Sequence, residues 1–223
     1  MGEGLSFWQV FFTSFQTNQY GWEYMWVILL MGVFALAISI ERLYYIMIRS
    51  NVNADKFMLE IRKLVTSGNI KRAIALAEEG KGKALPYVVL AGLKKVAESE
   101  TLDFRSIQNA VDEGTLEIIP RLQKRTNYLS MLANVATLTG LMGTIYGLII
   151  AFAAIGGSEI PEADKPKYLA QGIAAAMNTT IFGLSIAIPT LIVYTFIMNR
   201  TTEIIDELDE HLVKLINLIT GNR

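Results

Sequence analysis

The chain has 223 residues, 52% of them hydrophobic and 18% charged, with a formal net charge of −1. That balance excludes the basic face of a nucleic-acid binder, and the absence of cysteine excludes a disulfide framework or a thiolate metal site. A mean hydropathy of +0.36 is too high for one or two soluble domains of this length, and it is concentrated in a few windows.

The first stretch, MGEGLSFWQVFFTSFQTNQYGW, lacks the basic n-region and small-residue cleavage site of a signal peptide. Its Phe7, Trp8, Phe11, Phe12 and Phe15 recur at three to four residues, which predicts an amphipathic interfacial helix over 1–23. Trp22, Tyr24 and Trp26 form an aromatic belt where a first membrane span, 24–48, begins. Glu41 and Arg42 mark its inner end, where a snorkelling side chain or a local pair suffices. The region 49–127 is polar and reads as helical. NADKFMLEIRKLVTSGNIKRAIALAEEGKG gives two short amphipathic helices broken at Ser67-Gly68-Asn69, the second closing at Gly80. Another begins around Pro86, and a longer one starts at Asp103 as its N-cap. No strong turn signal separates Leu122 from Met131, so this last helix is expected to run straight into the second span, bent at Pro120. Its Glu113 and Glu117 read as a solvated face rather than the rim of an ion exit.

Two windows, 126–158 and 168–199, contain no Asp, Glu, Lys or Arg and exceed the 20 or so residues that cross a bilayer. They predict spans over 128–156 and 170–198, joined by a loop at 157–169. The tail, 199–223, continues as a helix with Ile204, Ile205, Leu208, Leu212, Leu215, Ile216 and Ile219 on one stripe. His211, the only histidine, reads there as a solvated residue. The stretch Arg42–Arg125 holds 15 of the 20 Lys and Arg residues, and the first 25 residues hold none. By the positive-inside rule the N-terminus and the 157–169 loop are outside, and the 49–127 region and C-terminus are cytoplasmic. The fold class is therefore an all-α membrane protein with three spans and a helical cytoplasmic insertion.

Spans two and three are built for contact with protein as well as lipid. Thr137, Gly140, Thr144, Gly147 and Ala151, with Gly143 beside them, share one helix face. Gly172, Ala176, Thr179/Thr180, Gly183 and Ala187 do the same in span three. Such faces let backbones approach closely, and hydroxyls can bond across the contact. A threonine can equally bond its own i−4 carbonyl, leaving packing as the whole role. Asn178, on the opposite side from Thr180, reads as an interhelical hydrogen bond. Pro189 is expected to kink its helix.

LANVATLTGLMGTIYGLIIAF followed by GIAAAMNTTIFGLSIAIPTLIVY resembles the MotA/TolQ/ExbB proton channel family, and its ExbB/TolQ branch most. The carrying elements are Gly140, Leu141, Gly143, Thr144 and Gly147, and the run from Gly172 through Gly183 to Pro189. TSGNIKRAIALAEEGKG is similar to the family's cytoplasmic helical pair. The resemblance implies a bacterial inner-membrane subunit that forms a homopentamer around two copies of an ExbD/TolR-like single-span partner bearing an intramembrane Asp. It implies conversion of the proton motive force into work through a TonB/TolA-like or motility effector.

The family's pore-lining threonines fall on Thr144 and Thr180, with Thr179 and Thr137 completing a candidate polar track. Gly140, Gly143, Gly147, Gly172, Gly183 and Pro189 fall to helix packing. One departure stands out: the Glu of the family's GIAEA is Ala175 here, so spans two and three hold no acidic or basic residue. Buried ionisable groups usually mark proton routes; either the partner supplies them all, or the chain is a non-conducting oligomeric scaffold. The hydroxyls also suit sodium, with the proton as the favoured ion. No phosphate loop, nucleophile triad or metal-ligand cluster is present in the sequence, so neither enzyme chemistry nor a cofactor is expected.

Overall fold

The computed structural model describes residues 11–12, 14–16, 21–50, 52–98, 103–157 and 160–221. Among them every regular element is helical. In chain order these are α1 (Trp22–Tyr44), which ends in a π-helical turn (Tyr45–Arg49), α2 (Ala54–Thr66), α3 (Ile70–Glu79), α4 (Ala84–Glu98), α5 (Phe104–Gln123), α6 (Thr126–Gly156) and α7 (Lys165–Thr220). Three stretches, centred on α1, α6 and α7, are long and apolar enough to cross a membrane. The chain divides into two compact units, one from residues 1–39 and 127–194, the other from 40–126 and 195–223.

The first unit is the apolar one. Its side chains outside the helix contacts, such as Leu36, Leu138, Ile149, Phe152, Ile188 and Ile192, are exposed, as a lipid-facing surface requires. Gly32 of α1 lies so close to α7 that a Cβ there would meet Ile186 Cδ1 at 2.7 Å. The interfacial helix expected over 1–23 lies mostly outside the described residues. Within them Phe11 and Phe12 are helical and Ser14–Phe15 form a turn. Phe11 and Phe15 each set an edge against the Phe182 ring of α7 at 5.4 Å between centroids. Trp26 of α1 donates its indole N–H to the Phe15 carbonyl at 3.3 Å, so this segment is fastened to both helices.

The second unit is a polar-surfaced helical assembly. Asn53 caps α2 by accepting from the Lys56 N–H at 3.0 Å. The expected break between α2 and α3 is present, and Gly68 takes a φ of +74° there, a left-handed conformation that favours glycine. Asp103 caps α5 as expected, accepting from the Arg105 N–H at 3.3 Å. Val88, Val89 and Leu93 of α4, Ile107, Val111 and Leu122 of α5, and Leu208 and Leu215 of α7 are buried.

Three expectations are corrected. First, α5 does not run on into the next helix. It ends at Gln123, Lys124 is extended with ψ 133°, and Arg125 adopts φ 64° before α6 begins. Pro120 sits inside α5, so the interruption comes five residues beyond the proline. No glycine signals this break because distant side chains hold it. The Arg42 guanidinium donates to the Leu122 carbonyl, one of the terminal acceptors of α5. Glu41 takes the Arg125 guanidinium with both oxygens at 2.8 Å. Second, Arg42 is therefore not a snorkelling charge. It is 3% exposed and lies over the Tyr45 ring at 4.7 Å. Third, His211 is buried rather than solvated, with Nε2 3.7 Å from Asp55 Oδ1. Its place on the same stripe as Ile204, Leu208 and Leu215 explains this, since positions 204, 208, 211 and 215 share one helix face.

Candidate functional site: the seam of α6 and α7

A group of polar atoms in the first unit gathers where α6 and α7 pack side by side, and small residues make that approach possible. A Cβ on Gly183 would stand 2.7 Å from the Ala136 carbonyl oxygen, and one on Gly140 would stand 2.9 Å from that of Thr179. Further along, a Cβ on Gly143 would meet Thr179 Oγ1 at 2.8 Å and one on Gly147 would meet Ala176 Cβ at 2.8 Å. Gly172 is in turn closed off by the Ala151 methyl. As α6 advances from Ala136 to Ala151, its partners on α7 retreat from Gly183 to Gly172, the register of an antiparallel pair. The glycines assigned to packing from sequence thus form one continuous seam. Pro189 lies inside α7, which is continuous from Lys165 to Thr220.

In the middle of the seam three hydroxyls meet two backbone carbonyls. Thr144 and Thr180 hydroxyls are in hydrogen-bond contact. Thr180 also reaches the Gly140 carbonyl at 3.1 Å. Thr179 donates to the Ala176 carbonyl at 2.7 Å, with the Gly140 oxygen at 3.0 Å. Thr144 lies 3.2 Å from both carbonyl oxygens and 3.5 Å from Thr179 Oγ1. Each hydroxyl has a single proton. Donation from Thr179 to Ala176, Thr180 to Gly140 and Thr144 to Thr180 satisfies all three and leaves oxygen lone pairs free to accept.

The four threonines singled out from sequence do not all belong to this group. Thr144, Thr179 and Thr180 are brought together. Thr137 is not, and its hydroxyl returns to the Ala133 carbonyl of its own helix at 3.1 Å. Thr179 is 1% exposed and turned wholly into the seam, whereas Thr144 and Thr180 are partly exposed. Asn178, on the other side of α7, donates to Ser14 Oγ at 2.9 Å. Asn178 was expected to bond another helix; its partner is instead a turn of the N-terminal segment. Ala175 is 8% exposed, so a Glu there would sit against protein. Sequence reasoning missed Ser14, and it missed the carbonyls of Gly140 and Ala176, which no side-chain pattern announces.

Glu117, weighed as a rim residue, accepts from the Tyr87 hydroxyl at 2.5 Å and pairs with Arg121. That hydrogen bond pushes the Tyr87 hydroxyl above its ordinary pKa. Among the described residues no cluster of three or more His, Cys, Asp or Glu could hold a metal ion.

A family model of the MotA/TolQ/ExbB proton channel family matches residues 82–210, which include the whole seam. The chain belongs to the MotA/TolQ/ExbB proton channel family. This is a family of membrane channels and transport energisers, not of enzymes. Aquifex aeolicus biopolymer transport protein ExbB is 31% identical over 136 residues, covering 60% of this chain and 86% of that one. An ExbB homolog from Methanothermobacter thermautotrophicus is 23% identical over 184 residues, covering 82% of this chain and 62% of its own length. The Tol-Pal system protein TolQ of Haemophilus influenzae is 34% identical over 86 residues, or 39% of this chain and 36% of that one. The solved structure of C. jejuni MotAB shares the fold, with a TM-score of 0.62 at 13% identity over 96% of this chain and 75% of that one.

Proposed function

We propose that this chain is the multi-span subunit of a stator-type proton channel. In this reading it works in an energised inner membrane with a single-span partner that carries an intramembrane carboxylate. Five copies surround two copies of the partner, and ion passage turns the ring about it, delivering work for envelope transport, envelope maintenance or motility. The N-terminus and the 157–169 loop face outward, and the 49–127 region and C-terminal tail face the cytoplasm. The three spans are 24–48, 128–156 and 170–198.

The observation that carries this reading is the partly exposed Thr144–Thr180 hydroxyl pair in the middle of two spans that hold no acidic or basic residue. A proton route needs a group that titrates, so the partner's carboxylate has to supply it. The free lone pairs and rotatable protons of Thr144 and Thr180 can receive either form of that carboxyl group. Thr179, turned into the seam, fixes the helix contact, and Thr137 serves its own helix. The same hydroxyl and carbonyl oxygens suit sodium, so the ion is decided by measurement.

The test is flux through liposomes holding this chain and its partner. Thr180→Val keeps the side-chain shape and is expected to abolish flux, Thr180→Ser to retain it, and Thr137→Val to leave it unchanged. A second reading, a non-conducting scaffold, is favoured by one observation: every threonine proton already has an acceptor inside the seam. An assembled Thr180→Val complex that conducts like the wild type would make the scaffold role of these hydroxyls the better account.

A further inference from the structure

In the second unit, α2 and the last turns of α7 leave an open groove of about 820 Å³ between them. Met58 and Leu215 form its buried floor, and Leu59 and Leu218 line it. Leu59 is 54% exposed, an apolar side chain left uncovered on a charged surface helix. The groove's lining also includes Asp55, which faces His211, and Lys214, which pairs with Glu210; Arg62 lies on the rim and Lys63 beside it is exposed. Among the described residues neither Arg62 nor Lys63 has an ion-pair partner.

A different face of α7 carries the opposite character. Asp206, Asp209 and Val213 are all exposed, and their spacing places them on one stripe. Val213 is 59% exposed. Among the described residues Asp206 and Asp209 have no ion-pair partner either. The stripe therefore offers one apolar side chain flanked by unpaired carboxylates, and the groove offers an uncovered leucine flanked by unpaired cations. Both surfaces belong to the same unit but lie on separate flanks of α7, so a copy cannot close them on itself.

We propose that the groove receives the Asp206–Asp209–Val213 stripe of a second copy of this chain, Val213 covering Leu59 and the carboxylates facing Arg62 and Lys63. The proposal rests on the oligomeric reading above and names the surfaces that join neighbours. With the groove of each copy taking the stripe of one neighbour and its own stripe entering the groove of another, the contact is head-to-tail, and it builds a ring where the rotation closes. Charge complementarity of this kind fixes register and suppresses wrong partners.

The chain has no cysteine, so a clean cross-linking test uses the full-length protein in its membrane. Carrying Leu59→Cys and Val213→Cys together, it is expected to form a disulfide ladder extending beyond the dimer under mild oxidation. Either substitution alone gives no ladder. Arg62→Glu lowers the ladder yield several-fold, and adding Asp209→Arg restores it. An assembled oligomer, verified by mass, that gives no ladder overturns the groove contact and leaves the oligomeric reading standing. A monomeric mass overturns both. A ladder insensitive to Arg62→Glu overturns the charge pairing.

Discussion

Two glycines of the first unit provide a matched test of the seam. A Cβ at Gly183 would stand 2.7 Å from the Ala136 carbonyl oxygen, with Gly140 Cα at 3.3 Å, so both obstacles are backbone of α6. A Cβ at Gly32 would also stand 2.7 Å from its nearest neighbour, but that neighbour is Ile186 Cδ1, the far end of a flexible side chain. Each Gly→Ala change gains the same helix propensity, about 1 kcal/mol, so that contribution cancels between the two variants. What remains is overpacking, which costs about 1–3 kcal/mol where the surroundings cannot yield and little where a side chain can change rotamer. Gly183→Ala is therefore expected to be about 1–3 kcal/mol less stable than Gly32→Ala. Moving α7 off α6 would also stretch the Thr180–Gly140 contact, now 3.1 Å. Loss of helical circular dichroism during unfolding in mixed micelles reads the difference directly. Equal stabilities, or a larger loss for Gly32→Ala, would refute the claim that backbone contact between α6 and α7 sets their spacing.

The hydrogen bond between Asn178 and Ser14 should show a coupling of about 0.6 kcal/mol, the average for side-chain hydrogen bonds between membrane helices, in a double-mutant cycle with Asn178→Ala and Ser14→Ala. Additive losses would contradict it. Neighbouring Glu41 and Arg42 should differ in worth. Glu41→Gln removes an ion pair whose side chains are 48% and 49% exposed and should cost under about 1 kcal/mol, less still in high salt. Arg42→Met withdraws the buried donor from the Leu122 carbonyl and should cost about 1–3 kcal/mol at any salt. Unfolding at low and high salt separates the two, and equal, salt-independent losses would contradict the assignment. The Tyr87 hydroxyl is held above its ordinary pKa by donating to Glu117. Its contribution is thus intact below about pH 10 and lost as pH rises through the higher folded value. The stability gap between wild type and Tyr87→Phe should shrink at alkaline pH, and a pH-independent gap would count against this bond.

Much of the helical layout was legible because its signals are local. Charge-free windows located α6 and the membrane part of α7, the Trp22–Tyr24–Trp26 belt the start of α1, Ser67-Gly68-Asn69 the break after α2, and Asp103 the start of α5. The small-residue faces were legible for the same reason, since 3–4 spacing on each helix is enough to predict the seam. The break before α6 was not, because Arg125 takes its left-handed conformation without glycine and the stabilising Glu41 and Arg42 lie some 84 and 80 residues away. His211 was misjudged by its chemistry: polarity suggested solvent, while its position on the apolar stripe dictated burial. Within the site, spacing grouped four threonines on two faces. It could not show that Thr137 turns back on its own helix while Thr179 faces inward, because rotamer and neighbour decide both.

The most direct measurement is proton flux into liposomes, read with a pH-sensitive dye under an imposed membrane potential, with and without sodium. The samples hold this chain alone, with its single-span partner, or with the partner's intramembrane Asp changed to Asn. The account predicts flux only with the unaltered partner, since α6 and the membrane part of α7 have no acidic or basic residue of their own. Flux from this chain alone, or flux that survives the Asp→Asn change, would contradict it.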